Sequence, residues 1–155
     1  MKTLNILIAV MFISLSAVFA DAQRKSVSGA EVTGTFNKYF TGKFKGSSNE
    51  IKIQALGKGK VKIAFDLVYP FIDGAGEMSA NLGQVTVEAN ISGDTAIYSS
   101  DEFGPCKITI KFLRPGTIKV TQESDGGGCG FGHNVTADGT YRKRSSKKPN
   151  FDDNM

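Results

Sequence analysis

The side chains best suited to chemistry gather in one short run of this 155-residue chain. Asp125-Gly126-Gly127-Gly128-Cys129-Gly130-Phe131-Gly132-His133 holds one of the two cysteines, the sole histidine, an aromatic ring and five glycines. Successive glycine N–H groups can converge on an anion, and an imidazole can serve as a base or a metal ligand. No Lys-Ser/Thr pair completes a phosphate loop here, and one histidine without Cys or His partners cannot build a zinc site. Two readings stay open. In the first, the run is a loop pinned by a disulfide, with Phe131 tucked onto the end of the fold. In the second it is a binding loop made of Gly127, Gly128, Gly130, Phe131, Gly132 and His133. Its glycines then let the backbone approach a partner closely, while Phe131 and His133 supply contact groups.

Carboxylates are the other candidates. Asp73 and Glu77 flank Gly74 and Gly76, and the pair Asp101-Glu102 precedes Cys106. Paired acids can cleave glycosidic bonds or enter an oxygen cage around calcium. Neither pair has the spacing of a calcium loop, so both read as solvated loop charges. No Gly-x-Ser-x-Gly elbow occurs. The sequence thus assigns no catalytic residue, no metal ligand and no cofactor, and the chain is read as a non-enzyme. Asn90-Ile91-Ser92 and Asn134-Val135-Thr136 fit the N-glycosylation pattern, which matters only in a eukaryotic source.

The compartment follows from the N-terminus. Met1-Lys2 precedes an apolar run from Leu4 to Phe19, and Ala20-Asp21-Ala22 supplies small residues at both cleavage-recognition positions. Residues 1–22 are therefore expected to be a cleavable signal peptide, with a cut after Ala20 as the alternative. The run is shorter than the roughly 20 residues a helix needs to cross a bilayer. No later stretch is apolar enough to do so, and the mature protein is expected to be exported, periplasmic or extracellular. In such an oxidising compartment Cys106 and Cys129 are expected to form one disulfide.

The formal net charge of +4 is not spread over the fold. Residues 142–155 carry a net +3, Arg24 and Lys25 add two more, and residues 31–141 are left at −1. A nucleic-acid-binding domain concentrates Lys and Arg on its folded surface, so no nucleic-acid partner is expected. Residues 23–30 read as an N-terminal tail and residues 143–155 as a basic, disordered C-terminal tail.

The elements between these tails read as strands. Ile51, Ile53 and Ala55 alternate with polar neighbours, as do Val61, Ile63, Phe65 and Leu67, then Val85, Val87, Ala89 and Ile91. Ile108, Ile110 and Phe112 continue the pattern, with Ile118 and Val120 answering after Arg114-Pro115-Gly116. Gly57-Lys58-Gly59-Lys60 and Gly93-Asp94 supply turn chemistry. Residues 34–40 and 135–142 give less regular first and last strands. About eight antiparallel strands over residues 31–142 predict an all-β domain, an up-and-down barrel with a two-sheet sandwich as the alternative. The barrel interior is expected to hold Ile51, Ile53, Val61, Ile63, Phe65, Val85, Val87, Ile108, Ile110, Ile118 and Val120.

The run from Ala96-Ile97-Tyr98 through Cys106, Ile108, Ile110 and Phe112 to Cys129-Gly130-Phe131-Gly132 and Gly139-Thr140-Tyr141 is similar to small exported bacterial proteins. Some of those are grouped with periplasmic lysozyme inhibitors. The resemblance implies a small exported β protein and, as the alternative function, inhibition of a cell-wall hydrolase. The loop motifs that enter a lysozyme active site have no counterpart here, so no functional residue is carried over. The expectation is a monomeric, non-catalytic binding or envelope-associated module whose partner is a protein or an envelope component.

Overall fold

The computed structural model describes residues 26–124 and 127–152; the expected signal peptide lies outside the described residues. A helical turn α1 (Gly29–Val32) leads into eight strands: β1 (Gly34–Tyr39), β2 (Ser48–Gly57), β3 (Lys60–Ile72), β4 (Met78–Ser92), β5 (Thr95–Ser100), β6 (Cys106–Arg114), β7 (Thr117–Ser124) and β8 (Gly139–Ser145). Each strand pairs antiparallel with the next, and β1 pairs with β8, which closes an up-and-down barrel. The barrel expectation is therefore met over the sandwich. Closure leaves no terminal strand with an open ladder.

Period-two alternation places one side-chain set inside. Phe36, Ile51, Ile53, Val61, Phe65, Leu67, Ile118 and Tyr141 are completely or almost completely buried, and Ile63, Ile108, Ile110, Phe112 and Val120 join them. Val85 and Val87, expected in the interior, face it but are only half-buried. The cause is an opening in the wall beside β4, which β5 pairs only from Asn90 to Ser92. Gly83 points inward without a side chain, and a Cβ there would lie 2.8 Å from Val135 Cγ1 and 3.0 Å from Phe131 Cβ. The β7–β8 connection, not β4, fills that part of the lumen.

The two barrel ends differ. Tight turns join β2 to β3, β4 to β5 and β6 to β7 at one end, the turn end. There α1 acts as a plug, with Val32 buried and a capping box on Ser28 and Glu31 holding the turn. Lys143 Nζ donates to the carbonyl oxygens of Ala30, Glu31 and Thr33 at 3.0, 2.7 and 2.9 Å and sits 5.1 Å from the Phe36 ring centroid. Three N–H donors thus meet three carbonyls, with an aromatic face beside them. Burial lowers the Lys143 pKa, and the nearby Glu31 carboxylate opposes that shift.

The segment expected as a disordered tail therefore begins as structure. β8 continues through Ser145, Pro149 is buried, and Lys62 Nζ lies 4.6 Å from the Phe151 ring centroid. The last strand starts later than expected, at Gly139 rather than residue 135. Val135 and Ala137 are instead buried as part of the loop that precedes it.

Candidate functional site

The other barrel end, the loop end, carries the longer connections and the glycine-rich run. The Cys106–Cys129 bridge is present, with Cα atoms 5.0 Å apart, and fixes the loop to the start of β6. Asp125 and Gly126 lie outside the described residues. From Gly127 onward the loop crosses the barrel mouth to β4 and returns to β8. Gly132 N–H donates to the Leu82 carbonyl at 3.0 Å, and Asn81 Nδ2 donates to the His133 carbonyl at 2.8 Å. On the return path, Asp138 Oδ1 accepts from Gln122 N–H at 2.7 Å and Gln122 Oε1 accepts from Ala137 N–H at 2.9 Å. These side chains replace the ladder where β7 and β8 part, since their backbone register ends at Val120 and Gly139.

Phe131 corrects the binding-loop reading. It is buried and meets Phe65 edge-on, with ring centroids 5.7 Å apart. A ring held against the core cannot serve as an exposed contact group, so Phe131 is the plug of this end. The glycines make close approaches, but to their own chain. A Cβ on Gly128 would lie 2.6 Å from the Pro105 carbonyl oxygen, and one on Gly130 would lie 3.1 Å from the Phe103 ring. Gly127 accepts from Gly130 N–H at 2.9 Å and has open space where a side chain would stand. Of the six candidates Gly127, Gly130 and His133 are exposed, and His133 is the one among them that carries a side chain. A recess of about 430 Å³ lies along Gly127 and residues 131–136.

The acidic candidates, read from the sequence as loop charges, shape two separate turns. Asp73 Oδ1 accepts from the N–H groups of Ala75 and Glu77, both at 2.9 Å, and so shapes the β3–β4 turn. Asp101 accepts from Gly104 N–H at 3.2 Å and belongs to the β5–β6 turn. Among the described residues no three His, Cys, Asp or Glu side chains gather as a metal site would require.

Two features escaped the sequence. The first is a buried polar pair inside the barrel. Asn49 Oδ1 accepts from Val68 N–H at 2.9 Å, Tyr141 Oη donates to the Ala137 carbonyl at 2.9 Å, and the two side chains are hydrogen-bonded to each other. Desolvation holds the Tyr141 phenol neutral well above the usual tyrosine range, the Asn49 bond opposing and the Asp138 charge reinforcing that shift. These residues tie β2, β3 and the loop return together.

The second is an exposed apolar face. Beyond the body of the barrel β3 and β4 continue as a long hairpin in which Val68 pairs with Leu82, Pro70 with Ala80 and Ile72 with Met78. Closer to the turn end the same face carries Lys62 opposite Glu88 and Asp66 opposite Gln84. Met78, Leu82 and Ile72 are 64, 57 and 43 % exposed. The signal was available as the unbroken apolar run 67–72, which departs from alternation just where the strand leaves the core. Phe103, also 64 % exposed, lies against Gly130 on the far side of the loop. Among the described residues no helix is long and apolar enough to cross a membrane. Comparison with protein-family models, curated proteins and solved structures finds no match.

Proposed function

We propose that this chain is an exported, non-catalytic binding module that holds a protein partner at the loop end of its barrel. The observation that carries the reading is the outer face of the β3–β4 hairpin, where three register pairs in succession are apolar. Leu82, Ala80, Met78 and Ile72 are exposed on it, around a buried Pro70 and a half-buried Val68, and exposed apolar surface of this kind marks contact sites. The glycine loop links that face to Phe103, because Gly132 bonds to Leu82 while Gly130 packs against the Phe103 ring. Glycines leave the surface between them low, so a partner can rest on both apolar groups. The disulfide and the Gln122–Asp138 bonds hold the loop in place, which reduces the entropy lost on docking.

The test is site-directed photo-crosslinking in the native host. A photoreactive residue at position 82 should give one defined protein adduct, lost when Met78→Asp is added. The same group at position 111, on the exposed outer wall of β6, should not give it. No adduct from position 82, or the same adduct from both positions, overturns the proposal. Muramidase assays on the purified mature protein decide the partner class implied by the resemblance: inhibition abolished by Leu82→Asp identifies a cell-wall hydrolase as that partner.

A further inference from the structure

The wall between β4 and β5 is open along half its length. In the β3–β4 ladder the odd-numbered residues form the hydrogen-bonded pairs, as Ile91 N–H to the Gly59 carbonyl at 2.8 Å and Asp73 N–H to the Glu77 carbonyl at 2.9 Å show at its two ends. The backbone groups of the even-numbered β4 residues therefore point toward β5. β5 meets them only at Asn90, opposite Ile97, and Ser92, opposite Thr95. Gly132 takes the Leu82 carbonyl. Between those two fixed points Gln84, Thr86 and Glu88 are exposed and have no backbone partner among the described residues.

The facing side of the opening is similar. The β5–β6 ladder pairs through even-numbered residues, since Phe112 N–H donates to the Asp94 carbonyl at 2.8 Å, so Ser99 turns its backbone groups toward β4. Between the two edges the half-buried side chains of Val85, Val87 and Tyr98 line the inner side. Unprotected edges are normally blunted by proline, lysine or a bulge. Apart from the charge of Glu88, the β4 edge has no such device over residues 83–89, and its register with β3 is unbroken.

We propose that this opening accepts an extended peptide segment of a partner protein, which adds to β4 along Gln84, Thr86 and Glu88. Three residues, each offering one N–H and one C=O at strand spacing, match an extended backbone and no other common ligand. Strand periodicity then sets the side chains of the guest. Those turned inward meet Val85, Val87 and Tyr98 and must be apolar. Those turned outward stand beside Gln84, Thr86 and Glu88, whose β3 partners are Asp66, Ala64 and Lys62, and are polar. A second copy of this chain fits less well. Its own β4 edge is flanked by β5 at Asn90 and by the loop at Leu82, so two such recessed edges collide at both ends. The site is distinct from the apolar hairpin face, and the two stand or fall separately.

The probe is an end-blocked hexapeptide of alternating valine and lysine, titrated into the mature protein with amide-resolved NMR and hydrogen exchange. At saturation the amides of Gln84, Thr86 and Glu88 should slow by more than about tenfold as they become paired. A peptide N-methylated at every second residue on its pairing edge should bind at least tenfold more weakly. Thr86→Pro, which removes the central donor on an exposed edge, should abolish the shifts while the fold is retained, and Leu82→Asp should leave them. The proposal is overturned if those three amides are already slow in free protein, or if the peptide shifts only the Leu82–Met78 face. Protection that instead grows with protein concentration alone would assign the edge to a second copy and overturn it too.

Discussion

Replacing Phe131 by alanine separates a plug from a contact group. The ring is 8 % exposed, packs edge-on against Phe65 and occupies the space left by Gly83. Truncating a buried phenylalanine costs about 3–5 kcal/mol through lost transfer energy and residual cavity. An edge-on aromatic pair contributes about 0.5–1.5 kcal/mol of that beyond its area. The loop end can relax somewhat, which favours the lower figure. The disulfide limits how far the loop can collapse into the void. A loss of about 3 kcal/mol in a domain of this size corresponds to a fall in Tm of roughly 10–15 °C. Differential scanning calorimetry of Phe131→Ala and His133→Ala, both with the disulfide intact, reads this directly. His133→Ala should move Tm by less than about 2 °C, since its ring is exposed and only its backbone carbonyl is bonded. A Phe131→Ala protein that melts within about 2 °C of the parent would refute the plug reasoning.

Lys143→Met keeps the aliphatic stem but leaves the carbonyls of Ala30, Glu31 and Thr33 without the ammonium, and should cost about 1–3 kcal/mol. Urea denaturation measures that loss, and faster amide exchange confined at first to residues 27–33 would locate it at the plug. Tyr141 gives a pH dependence: in the unfolded chain its phenol ionises near 10.0, whereas burial keeps it neutral above that in the barrel. Stability is thus complete below pH 10 and is lost as pH rises beyond it, because the unfolded state releases the proton first. Tyr141→Phe should flatten this alkaline loss while lowering stability near pH 7 by about 0.5–1.5 kcal/mol through the bond to Ala137. Equal slopes above pH 10 for the two proteins would show that Tyr141 is not the group responsible.

The strands were legible in the sequence because half-burial imposes a period of two on side chains, and that period survives in Ile51-Ile53, Val61-Ile63-Phe65 and Ile108-Ile110-Phe112. The Cys106–Cys129 pairing was legible because two cysteines allow one intramolecular bridge. Barrel closure followed from strand count and short turns, although residues alone left the sandwich open. Tertiary structure decided the rest. Local sequence could not show that Gly83 leaves a hole for Phe131 and Val135, since both lie far from it in the chain. It could not show that Lys143, in a basic run typical of a solvated tail, reaches the carbonyls of the N-terminal turn. Nor could alternation show the apolar face of the β3–β4 hairpin, which exists because both strands outrun the barrel in one register. The opening beside β4 is likewise a tertiary fact. Whether a strand's second edge is paired depends on where its neighbour diverges, and β5 leaves β4 after Ile97 to follow β6 toward the disulfide.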